Sequence, residues 1–522
     1  MVGPIRAHPF LFALLAAWAF APLVQLIFYV GRHGGVLTGA NGLDPYDQLA
    51  YLAWIRDSRD HLLASNLWQL GATPHDYLHP MFLLSGLVAR LGVSVQLAYL
   101  MWKPVAVVVL FAGFSAYVGH LLPGRRRAQS VALLLALFYE TPVLALADWT
   151  GRISPNHRFD LLLTSDDANS ALNLWGFDHT AIAIGLMPVC LIAIDRLRAA
   201  PPAAAARRWT LLAAAAGALV SWLHPWQGGM LLLAMGGLLV LSGSRRKWSS
   251  IAVIAVATAL PLLYGAVLAR ADPSWRLFQQ HTLGTAPGPA WALLASLGPL
   301  AALALLGLRR PRRDREWLLV LWVLACAAVY FLVPQFPPHA LSGITLPLSI
   351  LAVRGWARMP RRLPVLAGRA AATVAILVVT VPAAAYLGQQ VWNDVSNPAD
   401  AYIAGFEVLG SDQAAALRFI AHAGGRGGVL ATAPLELSVP AFTGHPAYNG
   451  HFMWETSSQT GASSAFYAPA TSIAQRRAIL RASGVEFLIL DCRLSPALRQ
   501  AATPLMKTVG WFGCTTVLRR VG

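Results

Sequence analysis

The sequence predicts a polytopic α-helical membrane protein of about eleven spans, followed by a C-terminal extracytoplasmic α/β domain. Three observations carry that expectation. The chain of 522 residues is 57% hydrophobic and 12% charged, against about 45–50% apolar and about 25% charged in an ordinary soluble domain. The apolar residues fall in separate blocks of roughly 16–24 residues, the length that takes a helix across about 30 Å of hydrocarbon. The basic residues are sorted between those blocks.

The expected spans run near 10–31, 98–121, 129–147, 179–197, 209–224, 227–243, 249–269, 290–308, 317–334, 340–355 and 364–387. The first block, Phe10 to Val30, is too long for the apolar core of a signal peptide and lacks a small-residue cleavage site, so it reads as a retained helix. The net charge is +17. Arg6 and the clusters at Arg125–Arg127, Arg196–Arg208, Arg245–Lys247, Arg309–Arg315 and Arg354–Arg369 hold 21 of the 40 Lys and Arg, with only Asp195, Asp314 and Glu316 among the 23 acids. Basic residues concentrated in this way mark cytoplasmic loops. Topology and contact with anionic lipid account for them, so nucleic acid is not an expected partner.

With the N-terminus inside, an odd number of spans puts every basic cluster on one side. The first loop, about 32–97, then lies outside, as do a second loop of about 148–178 and the tail. His79 to Gly92 is apolar but short and interrupted by Arg90, so it reads as a helix lying in the outer interface. Tyr51 to Leu67 reads as amphipathic, with Leu52, Ile55, Leu62 and Leu63 on one face and Arg56, Asp57, Arg59 and Asp60 on the other.

Residues 1–387 are therefore expected to form the membrane module and 388–522 a separate α/β domain. In the tail, Ser411-Asp412-Gln413 suggests a cap before a helix over Ala414–Ala421. Ile473–Ala482 reads as a second helix; Gly427–Ala431, Glu486–Leu490 and Thr515–Arg519 read as strands. Cys190 and Cys326 fall in apolar spans and read as packing residues. Cys492 and Cys514 fall in the outer domain, where a disulfide is open to them.

The acids collect in the outer loops. The first loop holds Asp44, Asp47, Asp57, Asp60 and Asp76. Pro45 imposes an extended or turned backbone on Asp44. Asp47 opens the amphipathic stretch, where helix-end N–H groups favour negative charge. An ionised carboxylate there can serve as a general base toward a hydroxyl or amine; a solvated cap residue is the plainer alternative. The second loop carries Arg152, His157, Arg158, Asp160, Asp166, Asp167 and the pair Asp178-His179. Asp166-Asp167 has the chemistry of a metal ligand pair, but reads equally as a charged surface. Three outer turns carry histidine at a membrane boundary: His79-Pro80, His224-Pro225-Trp226 and Pro337-Pro338-His339. Such a histidine suits a phosphate or diphosphate head group, although Trp and His also sit at interfaces without a role. No P-loop, dinucleotide fingerprint or zinc-type Cys/His spacing occurs.

The runs Asp47-Gln48-Leu49-Ala50-Tyr51 and His79-Pro80-Met81-Phe82-Leu83-Leu84 resemble those of the GT-C superfamily of integral membrane glycosyltransferases. The likeness is to the protein-mannosyltransferase and aminoarabinose-transferase branch, which has Asp-Glu-x-x-Tyr and then His-Pro-Pro-Leu. The layout of one span, a long outer loop, further spans and an outer C-terminal domain is similar too. Gln48 stands where the family has Glu, and Met81 where it has a second Pro. The resemblance implies a transferase of the plasma membrane that takes sugar from a polyprenyl-phosphate carrier, with inversion, to a lipid, glycan or protein acceptor outside. It implies Asp47 as base, with Asp44 as the competing residue. It places His79 and Tyr51 at the site, and His339, with His224 and Asp167 as further candidates, toward the donor or acceptor. Family members differ in metal use, so a divalent metal is left open. The alternative is a transporter or flippase for a lipid-linked envelope intermediate, which requires ionisable groups along the spans. Glu140, Asp148 and Asp178 are the acids nearest to that requirement.

The parity of the spans predicts that a reporter active only in the cytoplasm is silent when fused after Gly522 and active when fused after Lys247. A strong signal from the Gly522 fusion contradicts the expected topology.

Overall fold

The computed structural model describes residues 2–521 apart from 72, 152–153, 155, 157–159, 162–163, 165–166, 200–201, 242–246, 310, 312, 359–368, 397–404, 426 and 492–495. Six helices among the described residues are long and apolar enough to cross a membrane: Pro9–His33, Val95–Leu121, Asp178–Arg198, Trp248–Ala271, Ala290–Gly307 and Asp314–Leu332. The remaining expected spans are also helical, in shorter or more polar pieces. Ala203–Leu223 carries Arg207 and Arg208 in its second turn. Pro225–Leu241 and Thr345–Trp356 have 17 and 12 residues. The chain is a multi-pass membrane protein.

Two expected spans are broken. The third becomes Arg126–Phe138 and Pro142–Thr150. Pro142 cannot continue the preceding helix, and an interruption at membrane depth must have its freed groups satisfied. They are: Ala171 N donates to the Leu137 carbonyl at 3.1 Å, Thr345 Oγ1 to that of Ala136 at 2.7 Å, and Glu140 N to that of Val379 at 3.1 Å. The buried Glu140 carboxylate accepts from Thr141 N at 2.9 Å and Asn169 Nδ2 at 3.2 Å. Glu140 thus holds a helix break together. The last span, where described, becomes Arg369–Val378 and Val381–Ser396.

The chain divides into two compact units. One comprises Met1–Ala21, Trp102–Ala266 and Leu283–Gln390; the other comprises Pro22–Met101, Val267–Thr282 and Val391–Gly522. In the first, helices approach so closely that only glycine fits. A Cβ built on Gly113 would lie 1.8 Å from the Gly185 carbonyl oxygen, and one on Gly307 would lie 1.9 Å from that of Leu351. Small residues at such crossings let backbones touch in the absence of a hydrophobic driving force between helices.

The second unit joins the first loop to the C-terminal residues. Val36–Leu37 pairs antiparallel with Val408–Leu409. A four-stranded sheet has the order Val429–Leu430, Phe487–Leu490, Thr515–Arg520, Met506–Phe512. The first pair is parallel and the others antiparallel. Phe487–Leu490 is buried throughout, as a central strand must be. Around it Leu430, Phe466, Leu480, Leu488 and Leu518 form a core. The expected capping at Ser411 is shifted by one residue. The helix starts at Ser411, and Gln413 Oε1 reaches back to Gly410 N at 2.9 Å. Cys514 is disulfide-bonded. Cys492, its expected partner, lies outside the described residues, as do Arg152, His157, Arg158 and Asp166.

Asp44, before Pro45, takes the turned alternative, left-handed at φ 42° and ψ 57°. The Pro45–His61 helix departs from expectation in two ways. Asp57, assigned to the polar face, is 6% exposed. Its burial is compensated because its carboxylate accepts from Ser65 N at 2.7 Å and Ser65 Oγ at 3.0 Å. Leu62, assigned to the apolar face, ends the helix at positive φ and is 46% exposed.

Gly113→Leu is expected to cost about 1–3 kcal/mol or more, since the added side chain meets backbone. A large drop in the thermal midpoint of the detergent-solubilised protein checks this, with Gly119→Leu, where a Cβ meets nothing within 4 Å, as the control.

Candidate active site

Asp47 lies in the first turn of the Pro45–His61 helix. Its amide donates to the Asp44 carbonyl at 3.1 Å, as does that of Gln48 at 3.3 Å. Gln48 is fully buried and works as a loop clamp. Its Oε1 accepts from Asn41 N and its Nε2 donates to the Asn41 carbonyl, both at 3.0 Å. Asp47 therefore stands on a helix start that is fixed from behind.

The carboxylate is open on one side. Its side chain is 32% exposed, and Oδ1 lies 3.4 Å from Nε2 of His451, which is 3% exposed. The next side chain back, Tyr46, donates its hydroxyl to the Gly450 carbonyl and accepts from Phe452 N at 2.9 Å. Burial, and then the charges of Glu455, Glu436 and Asp47, hold the Tyr46 phenol far above its ordinary range, so it stays a neutral donor. Glu455 accepts from Gly450 N at 2.9 Å and Thr460 Oγ1 at 2.8 Å. Glu436 is 5% exposed. Burial, with a smaller contribution from the Glu455 charge, pushes its carboxyl up to about 8.

Tyr51 and His79 stand in the aromatic layer beside this helix. Tyr51 stacks on Phe82 with ring centroids 5.3 Å apart, and His79 stacks on the same ring at 4.1 Å. His79 is 7% exposed and caps the Pro80–Arg90 helix with an extended backbone, the conformation that the following proline favours. Trp54, one turn on from Tyr51, meets Tyr77 at 5.2 Å, Trp454 at 5.5 Å and Trp68 at 6.3 Å, all edge to face. Such pairs add about 0.5–1.5 kcal/mol each to their buried area.

The other sequence candidates are in the first unit, where three of them meet. His339 Nδ1 lies 2.9 Å from Asp167 Oδ1, and Ser342 Oγ donates to the same oxygen at 3.3 Å. The His224 and His339 rings are 5.5 Å apart, and Trp226 meets the His339 ring edge to face at 4.7 Å. Gln227 Nε2 fixes this turn by donating to the carbonyls of His339 and Ser342 at 3.2 and 3.1 Å. His224, before Pro225, is extended like His79. His339 is about one-third exposed, and His224 is buried. In the same unit, the fully buried Lys103 lies 4.0 Å from Asp178 and donates to the Leu174 carbonyl.

Four residues around Asp47 were not singled out by sequence reasoning: Tyr46, Glu436, His451 and Glu455. Tyr46 adjoins Asp47, whereas Glu436, His451 and Glu455 come from the tail. The signal there is the Asn449-Gly450 turn before His451, with Glu455 four residues on, which lies about 400 residues from Asp47 in the chain and is invisible to local pattern reading. Among the described residues, Asp57, His61 and His75 form a cluster of potential metal ligands within the same unit.

No protein-family profile and no curated protein matches the chain. Solved structures do. ArnT from Cupriavidus metallidurans in the apo state aligns over 98% of this chain and 97% of its own, at 14% identity and a TM-score of 0.51. The same protein bound to undecaprenyl phosphate aligns over 98% of both chains, at 15% identity and a TM-score of 0.49. The arabinofuranosyltransferase AftD from Mycobacteria aligns over 97% of this chain and 41% of its own longer one, at 18% identity and a TM-score of 0.50.

A carboxyl that titrates higher in the folded than in the unfolded protein keeps its proton folded while the unfolded chain has lost it. Stability then falls as pH rises. For Glu436 the fall runs from its ordinary value near 4.5 up to about 8. Glu436→Gln is expected to flatten the decline of the thermal midpoint across that window and to raise the midpoint at its upper end, by about 2–4 °C for each kcal/mol. An unchanged pH profile contradicts the assignment.

The fold is thus the one found in ArnT and AftD, and in this chain it comprises a helical membrane module with a C-terminal α/β portion, the likeness running along nearly the whole chain.

Proposed function

We propose that the protein is a membrane glycosyltransferase that moves a sugar from a polyprenyl-phosphate-linked donor to an acceptor on the extracytoplasmic side, with inversion. The observation that carries the reading is the Asp47 carboxylate, set at a helix start, one-third exposed, and approached from behind by a buried histidine. The shared fold supports it, and ArnT holds undecaprenyl phosphate in its bound state.

In this reading Asp47 accepts the proton of the acceptor nucleophile as that atom attacks the anomeric carbon. One bond forms to the acceptor while the bond from the anomeric carbon to the phosphate oxygen breaks, and the polyprenyl phosphate leaves with the electron pair. Attack opposite the leaving group inverts the anomeric centre. His451 orients the carboxylate, and Tyr46 fixes the 450–452 turn that carries His451. In its own unit, the exposed face of His339, held by Asp167 and flanked by His224, has the chemistry to bind a phosphate. Tyr51 and His79 shape the aromatic wall of the Asp47 helix. The proposed setting is the plasma membrane, with the N-terminus cytoplasmic.

Removal of a general base costs about 10²–10⁴-fold in rate. The test is mass spectrometry of envelope glycolipids and glycans in a strain lacking the protein, complemented with wild type, Asp47→Asn or Asp44→Asn, each checked in the membrane. Loss of one glycan, restored by wild type and Asp44→Asn but not by Asp47→Asn, is the expected result, and the missing mass names the sugar. Restoration by Asp47→Asn removes the base and moves the transport alternative ahead.

A further inference from the structure

The Pro45–His61 helix carries a second group of chemistry-bearing side chains that the transferase reading does not use. Asp57 and His61 are one turn apart, and His75 comes back to them from a loop closed by the paired backbones of Ala64 and Tyr77. His61 Nδ1 lies 2.9 Å from Asp57 Oδ1, and His75 Nδ1 lies 3.1 Å from Asp57 Oδ2. The two imidazoles stack with centroids 3.9 Å apart and planes 26° apart. Asp57 is almost fully buried, while His61 and His75 are 43% and 36% exposed.

We propose that these three residues bind a divalent transition-metal ion of the zinc class. Zinc takes imidazole nitrogen at about 2.0–2.1 Å and carboxylate oxygen at about 2.0–2.2 Å, so its tetrahedral ligand atoms stand about 3.4 Å apart. The three ligand atoms here lie within 4.8 Å of one another, and shifts of about 1 Å in the imidazoles bring them to that spacing. Two histidines and one carboxylate match the ligand preferences of such an ion and leave a fourth position for water or a substrate atom. The carboxylate is also oriented from behind, as metal-ligating carboxylates are. Ser65 N and Oγ both bond Oδ2, which leaves Oδ1 less engaged.

The competing account is a hydrogen-bond clamp in which Asp57 ties the 62–77 loop to the helix with no metal. The two accounts part at the ring nitrogens: the clamp needs an Nδ1–H donor on each ring, whereas the metal needs both Nδ1 lone pairs for coordination. The Cys/His spacing rules of sequence reading miss this site because its ligands come from one helical turn and a returning loop.

The test uses the purified, tag-free full-length chain in detergent, stripped with chelator and titrated calorimetrically with zinc chloride alone. Saturable binding of one ion per chain is expected, weakened at least about tenfold by His61→Ala and by His75→Ala and unchanged by His422→Ala. X-ray absorption of the zinc-loaded wild type should show two imidazoles in a nitrogen and oxygen shell, so misfolding of a variant does not leave the question open. Absence of saturable binding, a sulfur or all-oxygen shell, or binding retained by His61→Ala/His75→Ala overturns the proposal.

Discussion

The structure around Asp47 depends on one packing interaction, the burial of Trp54. This residue sits on the helix that opens with Asp47, and its ring meets Trp454 and Trp68 edge to face. Trp454 in turn packs on Trp275 at 4.5 Å and stacks on Phe278 at 4.6 Å. Three distant parts of the sequence are thereby fastened to one helix. His451 is held near Asp47 by Trp454, three residues on and anchored in this layer, together with the bonds of Tyr46 to the Gly450 carbonyl and Phe452 N. Position of the carboxylate is therefore a property of the C-terminal residues as much as of the loop that contains it.

Much of the fold was legible because it follows from short-range rules. Every expected span contains at least one helix, since apolar run length is read directly from sequence. The breaks at 139–141 and 379–380 were not legible, because their freed backbone groups are satisfied by residues far away in the chain. In the tail, the fully buried strand Phe487–Leu490 announced itself as an apolar run. Met506–Phe512 did not: it is an outer strand of alternating exposure, interrupted by Gly510. The helix Ser457–Tyr467 was overlooked although its capping box, Thr456 with Gln459, is present in the sequence.

For the candidate site, the loop-borne half was legible and the half supplied by the tail was not. Proline marked three of the positions. His79 and His224 take the extended backbone that a following proline favours, and each is thereby turned out of its helix. Asp44 precedes Pro45 and takes the left-handed conformation, the turned rather than the extended of the two backbones expected there. Asp57 was read as a surface charge because helical spacing alone cannot see Ser65 and His75 folding back over it.

The central claim is that Asp47 acts with His451 behind it. The direct measurement is the rate of sugar transfer by purified protein carrying Asp47→Asn, His451→Ala, or both. If His451 acts only through the carboxylate, the double variant is no slower than Asp47→Asn alone, a strongly non-additive cycle. If the two losses multiply, the residues act independently and the account of the site is wrong.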